Sequence, residues 1–456
     1  MLSENKDMLQ NVKRVHFIGI GGTGMYPIVQ ILSKKNYEIT GSDQKASTNT
    51  AAEEKIGIKV IFGQKAENVE GADLVVYSAA ISEDNPELIA AKEKGIKTVE
   101  RSEMLGLLTS WFDNCVCVCG THGKTTTTSM ITQILLDTGK DPSAFIGSKL
   151  PAIGGNGRLG KSETMVCESC EFKDTFLHLY PDIALILNID EDHLDYFKNL
   201  DNIKKSFRKF AEMTNKVIIA NGDDKNTMDT LSGINKKIIT YGLKNTNDYY
   251  AENIKSDRLN QSYDLMYKNK KIAEIKLSVP GRHNISNSVG ACVAAILSGV
   301  KPEEIPDALI NYKGAERRFQ VLGENNGVTI VDDFAHHPTE IKGTLSIAKS
   351  LGYKKVWAVF QPYTYSRMAL LKDEFTEVLK EADRLVLTEI VSAREENIYG
   401  IHSSYFTDRI KGSICFDSFE KITEYVMENA EKGDLVVTMG GGDIYFCAKM
   451  LMEYKK

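Results

Sequence analysis

Short apolar runs alternate with stretches of helical spacing along most of the chain. The first block runs from Val15 to about Asp113, with strands expected near Val15–Ile18, Glu38–Thr40, Lys59–Ile61, Leu74–Tyr77 and Lys97–Val99 and helices between them. A second series begins at Val116 and has strands at Thr164–Cys167, Ile183–Leu187 and Val217–Ala220. A third, after Gly314, has Val328–Asp332, Lys355–Phe360, Arg384–Leu387 and Leu435–Thr438. From about Tyr249 to Lys276 the pattern alternates apolar with charged positions, as a hairpin does. Strands that are apolar on both sides and separated by helices form parallel sheets covered on both faces. The expected class is α/β, in about three domains with boundaries near 113 and 315.

Composition adds mainly exclusions. The 456 residues are 42% hydrophobic and 26% charged, ordinary for a chain that buries sizeable cores. A formal net charge of -6 argues against a general nucleic-acid binder, while leaving room for local basic pockets. No apolar run reaches the length that spans a bilayer. The segment Met1–Asp7 lacks a signal-peptide apolar core, so a cytoplasmic protein is expected. Of the eight cysteines, Cys115, Cys117 and Cys119 share one strand face and cannot clip a metal among themselves. Cys167-x-x-Cys170 has zinc-knuckle spacing but no second pair, and Cys292, Cys415 and Cys447 stand alone. Buried, reduced thiols are expected.

Two glycine loops carry the chemistry. In the first-ranked one, the run Val116–Cys119 ends in Gly120-Thr121-His122-Gly123-Lys124-Thr125-Thr126, where a helix opens. Glycines let backbone N–H groups close on phosphate oxygens, the helix N-terminus adds partial positive charge, Lys124 a full one, and the Thr125 hydroxyl can ligate Mg²⁺. The spacing is tighter than a Walker A loop, whose first glycine would fall at Val118. In the other, Gly19, Gly21 and Gly24 follow the strand at Val15 and satisfy G-x-G-x-x-G, with Asp43 after the next strand placed to bind a ribose hydroxyl. NAD, FAD and a UDP-sugar all suit that loop, as does a plain packing turn. Glu168 and His193 follow strands whose carboxyl ends should share the rim of the Lys124 loop, where they could complete a Mg²⁺ site. Asp192 and Glu171 are open alternatives.

Together these segments resemble the Mur ligases. The resemblance rests on the Gly120–Thr128 and Gly19–Met25 loops, Tyr77-Ser-Ala-Ala-Ile81, Arg101-Ser-Glu-Met-Leu105, Glu168-Ser-Cys-Glu171 and Asn188-Ile-Asp-Glu-Asp-His-Leu-Asp195. It continues through Pro280-Gly-Arg-His-Asn284 with Asn287, Arg317-Arg-Phe319, Asp332-Asp-Phe-Ala-His-His-Pro338, Gln361-Pro-Tyr-Thr-Tyr-Ser-Arg367 and Gly440-Gly-Gly-Asp443. It implies a Rossmann-like UDP-sugar-binding domain at 1–113, a central P-loop ATPase-like domain with a parallel sheet at 114–315, and a Rossmann-like amino-acid-binding domain at 316–456. The implied reaction joins L-alanine to UDP-N-acetylmuramate through an acyl phosphate, with ATP and Mg²⁺. No nucleic acid or membrane insertion is implied, and the state would be monomer or homodimer.

Site roles follow the same resemblance. Gly120 to Thr126 would cradle ATP phosphates, with Thr125, Glu168 and His193 around Mg²⁺. Asn284 and Asn287 would read adenine, Arg318 would reach the γ-phosphate, and Asp333 would touch the ribose. Lys124, Glu168, His193 and Arg318 are thereby the catalytic candidates. Gly21, Gly22, Thr23, Gly24, Asp43, Ser78 and Arg101 would hold the UDP-sugar. His336, His337 and Arg367 would face the amino acid. The chain departs from the usual pattern at Phe334, commonly Tyr, at Tyr363, often His, and in the Ser169–Lys173 loop. Some relatives carry a carbamylated lysine after the histidine; none is assigned to Lys204, Lys205 or Lys209. Two rivals stand beside this reading: a same-fold ligase that adds a tripeptide to the same UDP-sugar, and a nicotinamide dehydrogenase built on Gly19–Gly24.

Overall fold

The computed structural model describes residues 9, 11–257, 259–392 and 395–455. Three sheets carry the chain. The first has β1 (Arg14–Ile18), β2 (Glu38–Asp43), β3 (Lys59–Phe62), β4 (Leu74–Tyr77) and β5 (Lys97–Glu100). Its order is β3-β2-β1-β4-β5, with every pair parallel. The strand order reverses beside β1, which is where open α/β sheets hold ligands.

The second sheet has β6 (Asn114–Cys119), β7 (Ser143–Leu150), β8 (Gly155–Arg158), β9 (Thr164–Glu168), β10 (Ile183–Ile186), β11 (Val217–Asn221), β12 (Ile238–Gly242), β13 (Tyr249–Asp257), β14 (Asn260–Tyr267) and β15 (Lys270–Leu277). The order is β15-β14-β13-β12-β11-β10-β6-β9-β7-β8. Five of the six β6 residues are buried, as a strand covered on both faces requires. Its neighbours β9 and β10 both run parallel to it. The third sheet has β16 (Gln320–Asn325), β17 (Val328–Asp333), β18 (Val356–Gln361), β19 (Arg384–Thr388), β20 (Ile414–Phe416) and β21 (Leu435–Gly440), in the order β16-β17-β21-β18-β19-β20. Only β16 is antiparallel to its neighbour.

The expected strands are present with ends shifted by a residue or two. The segment read as a hairpin from Tyr249 is three strands that extend the second sheet. Five strands were not expected: β7, β8, β12, β16 and β20. β20 has three residues, all half-buried, and β8 reads Gly-Asn-Gly-Arg. That β8 sequence makes sense only from its neighbour, the helix Tyr26–Leu32 behind the first glycine loop. A Cβ at Gly157 would lie 2.4 Å from the Pro27 carbonyl oxygen, and one at Gly155 would lie 2.5 Å from Gln30. The Gly157 N–H donates to Gln30 Oε1 at 2.9 Å, and Asn156 Nδ2 donates to the Thr23 carbonyl at 3.3 Å. A second junction joins the helix Arg101–Thr109 to the 3₁₀ segment Phe172–His178: Ser102 Oγ lies 2.8 Å from His178 Nδ1, and a Cβ on Gly106 would sit 2.3 Å from the His178 carbonyl oxygen.

These junctions place the first two sheets in one compact unit, made of residues up to 255 with 262–277 and 282–313. The other unit comprises 256–261, 278–281 and the chain from 314 onward. Cys115, Cys117, Cys119, Cys167, Cys292 and Cys447 are buried free thiols as expected; Cys170 is exposed and Cys415 half-exposed.

One buried group in the first sheet's layer is unusual. Glu53, on the helix Thr48–Lys55, is fully buried and neither carboxylate oxygen has a hydrogen-bond partner. Burial, and then the nearby Asp43 carboxylate, raise it to about 8. The unfolded carboxyl titrates near 4.5, so the folded state holds a proton that the unfolded state has lost between those values. Stability should therefore fall as pH rises from about 4.5 to about 8 and be flat with respect to this group above that. Glu53→Gln should remove this component, so that unfolding followed by circular dichroism shows the variant gaining on the parent protein between pH 5 and pH 8. An equal gap at both pH values would refute it.

Candidate active site

The site of the first unit begins at the end of β6. Gly120 has φ 141 and a Cβ there would meet Leu187 Cβ at 2.9 Å; Gly123 has φ 88 and begins the helix Lys124–Asp137. Both positions favour glycine, since other residues adopt such angles at a cost. The loop is fastened from β10's side. The Thr121 N–H donates to the Asn188 carbonyl at 3.0 Å, and the Thr121 hydroxyl accepts from the Asp190 N–H at 2.9 Å. Asn188 then grips His122 at both ends: Oδ1 accepts its N–H at 2.8 Å and Nδ2 donates to its carbonyl at 3.0 Å. Asn188 had been read only as part of a motif. Its position one residue beyond Leu187, at the end of a strand beside β6, was the available signal. On the other flank, Asn287 from the helix Arg282–Leu297 would lie 2.8 Å from a Gly123 Cβ, and its Nδ2 lies 3.3 Å from Asn284 Oδ1. Asn287 thus sits against the loop, with Asn284 behind it on the same helix.

Lys124 does not project from the loop. Its ammonium donates to the Gly120 carbonyl at 2.5 Å, the Thr121 carbonyl at 3.1 Å, and the two Glu171 oxygens at 2.9 and 3.2 Å. The Glu171 side chain is 2% exposed and that of Lys124 14%. Burial alone would lower the Lys124 ammonium; the facing Glu171 carboxylate outweighs it and holds it raised.

The residues expected around a metal fall in two places. The Thr125 hydroxyl donates to Glu168 Oε1 at 2.9 Å, and Glu168 Oε2 accepts the Gly147 N–H of β7 at 2.6 Å. His193 is grouped instead with the two alternatives: donor atoms of Glu171, Asp192 and His193 lie within 4.8 Å of one another, the one such trio among the described residues. His193 has φ 52, a left-handed angle that costs a non-glycine residue energy, and its ring lies 4.6 Å from that of Phe172. Carboxylates and a hydroxyl are the donors that Mg²⁺ prefers, so either place suits the ion chemically.

The first glycine loop is closed on itself. Gly21 N–H donates to Asp43 Oδ2 at 3.0 Å, and Gly22 N–H to the Gly19 carbonyl at 3.1 Å. Asp43 Oδ2 thus braces the loop by holding the Gly21 amide. A bulky Gly21 side chain would also strike Thr50 Cγ2 at 2.6 Å and Ser47 Oγ at 2.9 Å, so substitution there tests packing rather than ligand binding. Arg101 arrives over the same loop, its Nη1 3.3 Å from where a Gly24 Cβ would be. The Ser78 hydroxyl accepts the Ala80 N–H at 3.3 Å beside the loop.

In the second unit the carboxyl ends of β17, β21 and β18 form one rim. Asp333 ends β17, and its oxygens accept the Phe319 N–H at 2.5 Å and the Ala335 N–H at 2.8 Å. Burial raises it to about 6, with Arg318 opposing. His336 follows, its Nδ1 2.9 Å from the Phe334 carbonyl and its N–H on Glu340 Oε2 at 3.0 Å. Burial lowers the His336 imidazole despite Glu340. His337 caps the helix Pro338–Ser350. Phe334 replaces the usual Tyr and lies beneath two guanidinium groups, Arg317 at 4.9 Å and Arg318 at 5.6 Å. A Gly441 Cβ would be 3.3 Å from Tyr363 and 3.5 Å from His336, which brings the loops after β17, β18 and β21 together. Arg367 lies on the short helix Tyr365–Leu370 at that rim.

Because Asn188 satisfies both ends of His122, Asn188→Ala should loosen the Lys124 loop. A lost pair of side-chain hydrogen bonds of this kind costs about 1–3 kcal/mol. The dissociation constant for a non-hydrolysable ATP analogue should rise about tenfold, and the melting temperature should fall by a few degrees. Unchanged binding would show that the loop's shape does not depend on this residue.

Three family profiles match successive parts of the chain: Mur ligase family, catalytic domain, over residues 14–112; Mur ligase middle domain, over 118–295; and Mur ligase, glutamate ligase domain, over 317–442. The chain is 45% identical over 455 residues to a UDP-N-acetylmuramate–L-alanine ligase of Caldanaerobacter subterraneus subsp. tengcongensis, covering 98% of this chain and 99% of that one. Its structure is similar to that of the UDP-N-acetylmuramate-alanine ligase MurC of Thermotoga maritima, with a TM-score of 0.83 at 26% identity over 97% of this chain and 99% of that one. A murein peptide ligase of Psychrobacter arcticus shares the fold, at 24% identity and a TM-score of 0.73, covering 97% of this chain and 98% of that one. The two glycine loops, the rim residues and these matches agree: the chain belongs to the Mur ligase family.

Proposed function

We propose that this protein is an ATP-dependent ligase that joins L-alanine to the carboxylate of UDP-N-acetylmuramate in peptidoglycan precursor synthesis, acting in the cytoplasm. The observation that carries the reading is the pair of glycine loops in one unit, one with Lys124 and Thr125 opening its helix, the other with no lysine and no hydroxyl pair of that kind. A triphosphate with a metal suits the first; a diphosphate held without a metal suits the second. The curated relative at 45% identity supplies the substrates.

The division of labour follows the three segments 1–113, 114–315 and 316–456. Arg101, Ser78 and the Gly22–Gly24 backbone serve the UDP-sugar. Gly120 to Thr126, with Asn284 and Asn287, serve ATP. Arg318 serves the transferred phosphate, and His336, His337 and Arg367 serve the amino acid, where an arginine can grip a carboxylate with two parallel bonds. Mg²⁺ would be held by Thr125 and Glu168, with His193 or its neighbours Glu171 and Asp192, and when bound it supplies charge neutralisation on the phosphates. The substrate carboxylate takes the γ-phosphoryl group, and the alanine amine then displaces phosphate from the acyl phosphate. Positioning and charge carry such a transfer, so no nucleophilic side chain is needed.

Phosphate release from ATP with UDP-N-acetylmuramate should require L-alanine among single amino acids. Faster release with the wall tripeptide would reassign the chain to the peptide-recycling reaction, and binding of NAD in place of UDP-N-acetylmuramate would overturn the ligase reading. Lys124→Ala should lower kcat/KM by about 10³-fold, the scale of losing a phosphate-clamping charge. Arg101→Ala should raise the KM for UDP-N-acetylmuramate about tenfold and leave that for ATP unchanged; a shift in the ATP value instead would exchange the two loops' roles.

A further inference from the structure

Glu171 stands in the Glu168–Glu171 motif without a settled role, yet both its oxygens accept from the lysine of the ATP loop. Every hydrogen of the Lys124 ammonium is engaged: two go to the loop's own carbonyls, Gly120 and Thr121, and the remainder to the two Glu171 oxygens. An ammonium has three donors and no more. Phosphate oxygens entering this loop must therefore take a donor from a partner that already holds it. The two carbonyls are covalently part of the loop and cannot withdraw. Glu171 can, because it meets the ammonium only through the oxygens at the end of its side chain, at 2.9 and 3.2 Å.

The carboxylate also has somewhere to turn. Its oxygen lies within 4.8 Å of donor atoms of both Asp192 and His193, and His193 Nε2 is 3.7 Å from Asp192 Oδ2. On this side stand a second carboxylate and an imidazole; on the other stands Lys124. Two carboxylates held this close repel each other unless a cation lies between them. With Lys124 on Glu171, that repulsion is relieved from within the chain.

We propose that Glu171 is a positioning residue that keeps Lys124 folded onto its own loop until nucleotide phosphates take the lysine over, so that Glu171 sets the threshold for ATP binding. The inference rests on the ATP reading of this loop. After the exchange the carboxylate faces Asp192 and His193 without its lysine, and a divalent cation is the partner of the right charge. Nucleotide without metal should thus bind poorly, because it strands Glu171 among like charges; nucleotide with metal should bind well.

The test is calorimetric titration of the full chain with a non-hydrolysable ATP analogue, once in excess EDTA and once in Mg²⁺, for the parent protein, Glu171→Gln and Glu171→Asp. Glu171→Gln removes the competing charge while keeping the shape. It should bind the metal-free analogue about tenfold tighter than the parent, and gain less from Mg²⁺. Glu171→Asp, which keeps the charge, should resemble the parent protein in both conditions. A merely structural glutamate would give weaker binding on replacement, not tighter. Equal or weaker metal-free binding by Glu171→Gln, with the parent protein binding normally, overturns the inference and leaves the ATP reading intact. Failure of the parent to bind the analogue in either condition overturns the ATP reading itself.

Discussion

Parallel pairing of β6 with β9 and β10 is the constraint from which the chemistry of the first unit follows. With Cys119 level with Ile186, and Val118 with Glu168, three chain segments leave the sheet at one rim. The phosphate loop leaves from β6, the Glu168–Glu171 motif from β9, and Asn188 with the Asp192–His193 pair from β10. A shift of one residue in either pairing would send alternate side chains to the opposite face. Lys124 would then lose Glu171, and His122 would lose Asn188. The apolar strands are thus the jig that sets distances between polar groups far apart in sequence.

That jig was legible before any coordinates, because strands buried on both faces announce themselves as continuous apolar runs. Val15–Ile18, Leu74–Tyr77 and Ile183–Leu187 are of this kind. β8 was illegible for the opposite reason: Gly155, Asn156 and Gly157 carry no apolar signal, and their place is dictated by a helix more than a hundred residues away. The candidate site divides along the same line. Motif spacing identified Lys124, Thr125, Glu168 and His193 as rim residues. It could not show that Lys124 turns inward, that Asp43 accepts from Gly21, or that Asp333 accepts from Phe319 and Ala335. Those facts depend on which backbone amides lie within reach, which only the folded chain decides.

The two glycine loops use their glycines for different ends. In the Lys124 loop, Gly120 and Gly123 take φ of 141 and 88, which turn the chain from the strand end into the helix. In the first loop, Gly21 and Gly24 instead make room, for the helix Thr48–Lys55 and for Arg101. A motif match alone would score the loops as equivalents. Their surroundings fasten one through Asn188 with its lysine held on Glu171, and brace the other through Asp43 with Arg101 beside it.

The β7–β8 hairpin has a consequence for how such chains can be recombined. β7 gives its Gly147 amide to Glu168, while β8 gives Gly157 to Gln30 and Asn156 to Thr23. The polypeptide between the two sheets looks like a convenient crossover point at residue 113. A chimera joined there would inherit a hairpin shaped for another protein's helix, with the Pro27 carbonyl and Gln30 amide facing side chains too large to approach them. Exchange between relatives should succeed only when the first two sheets travel together.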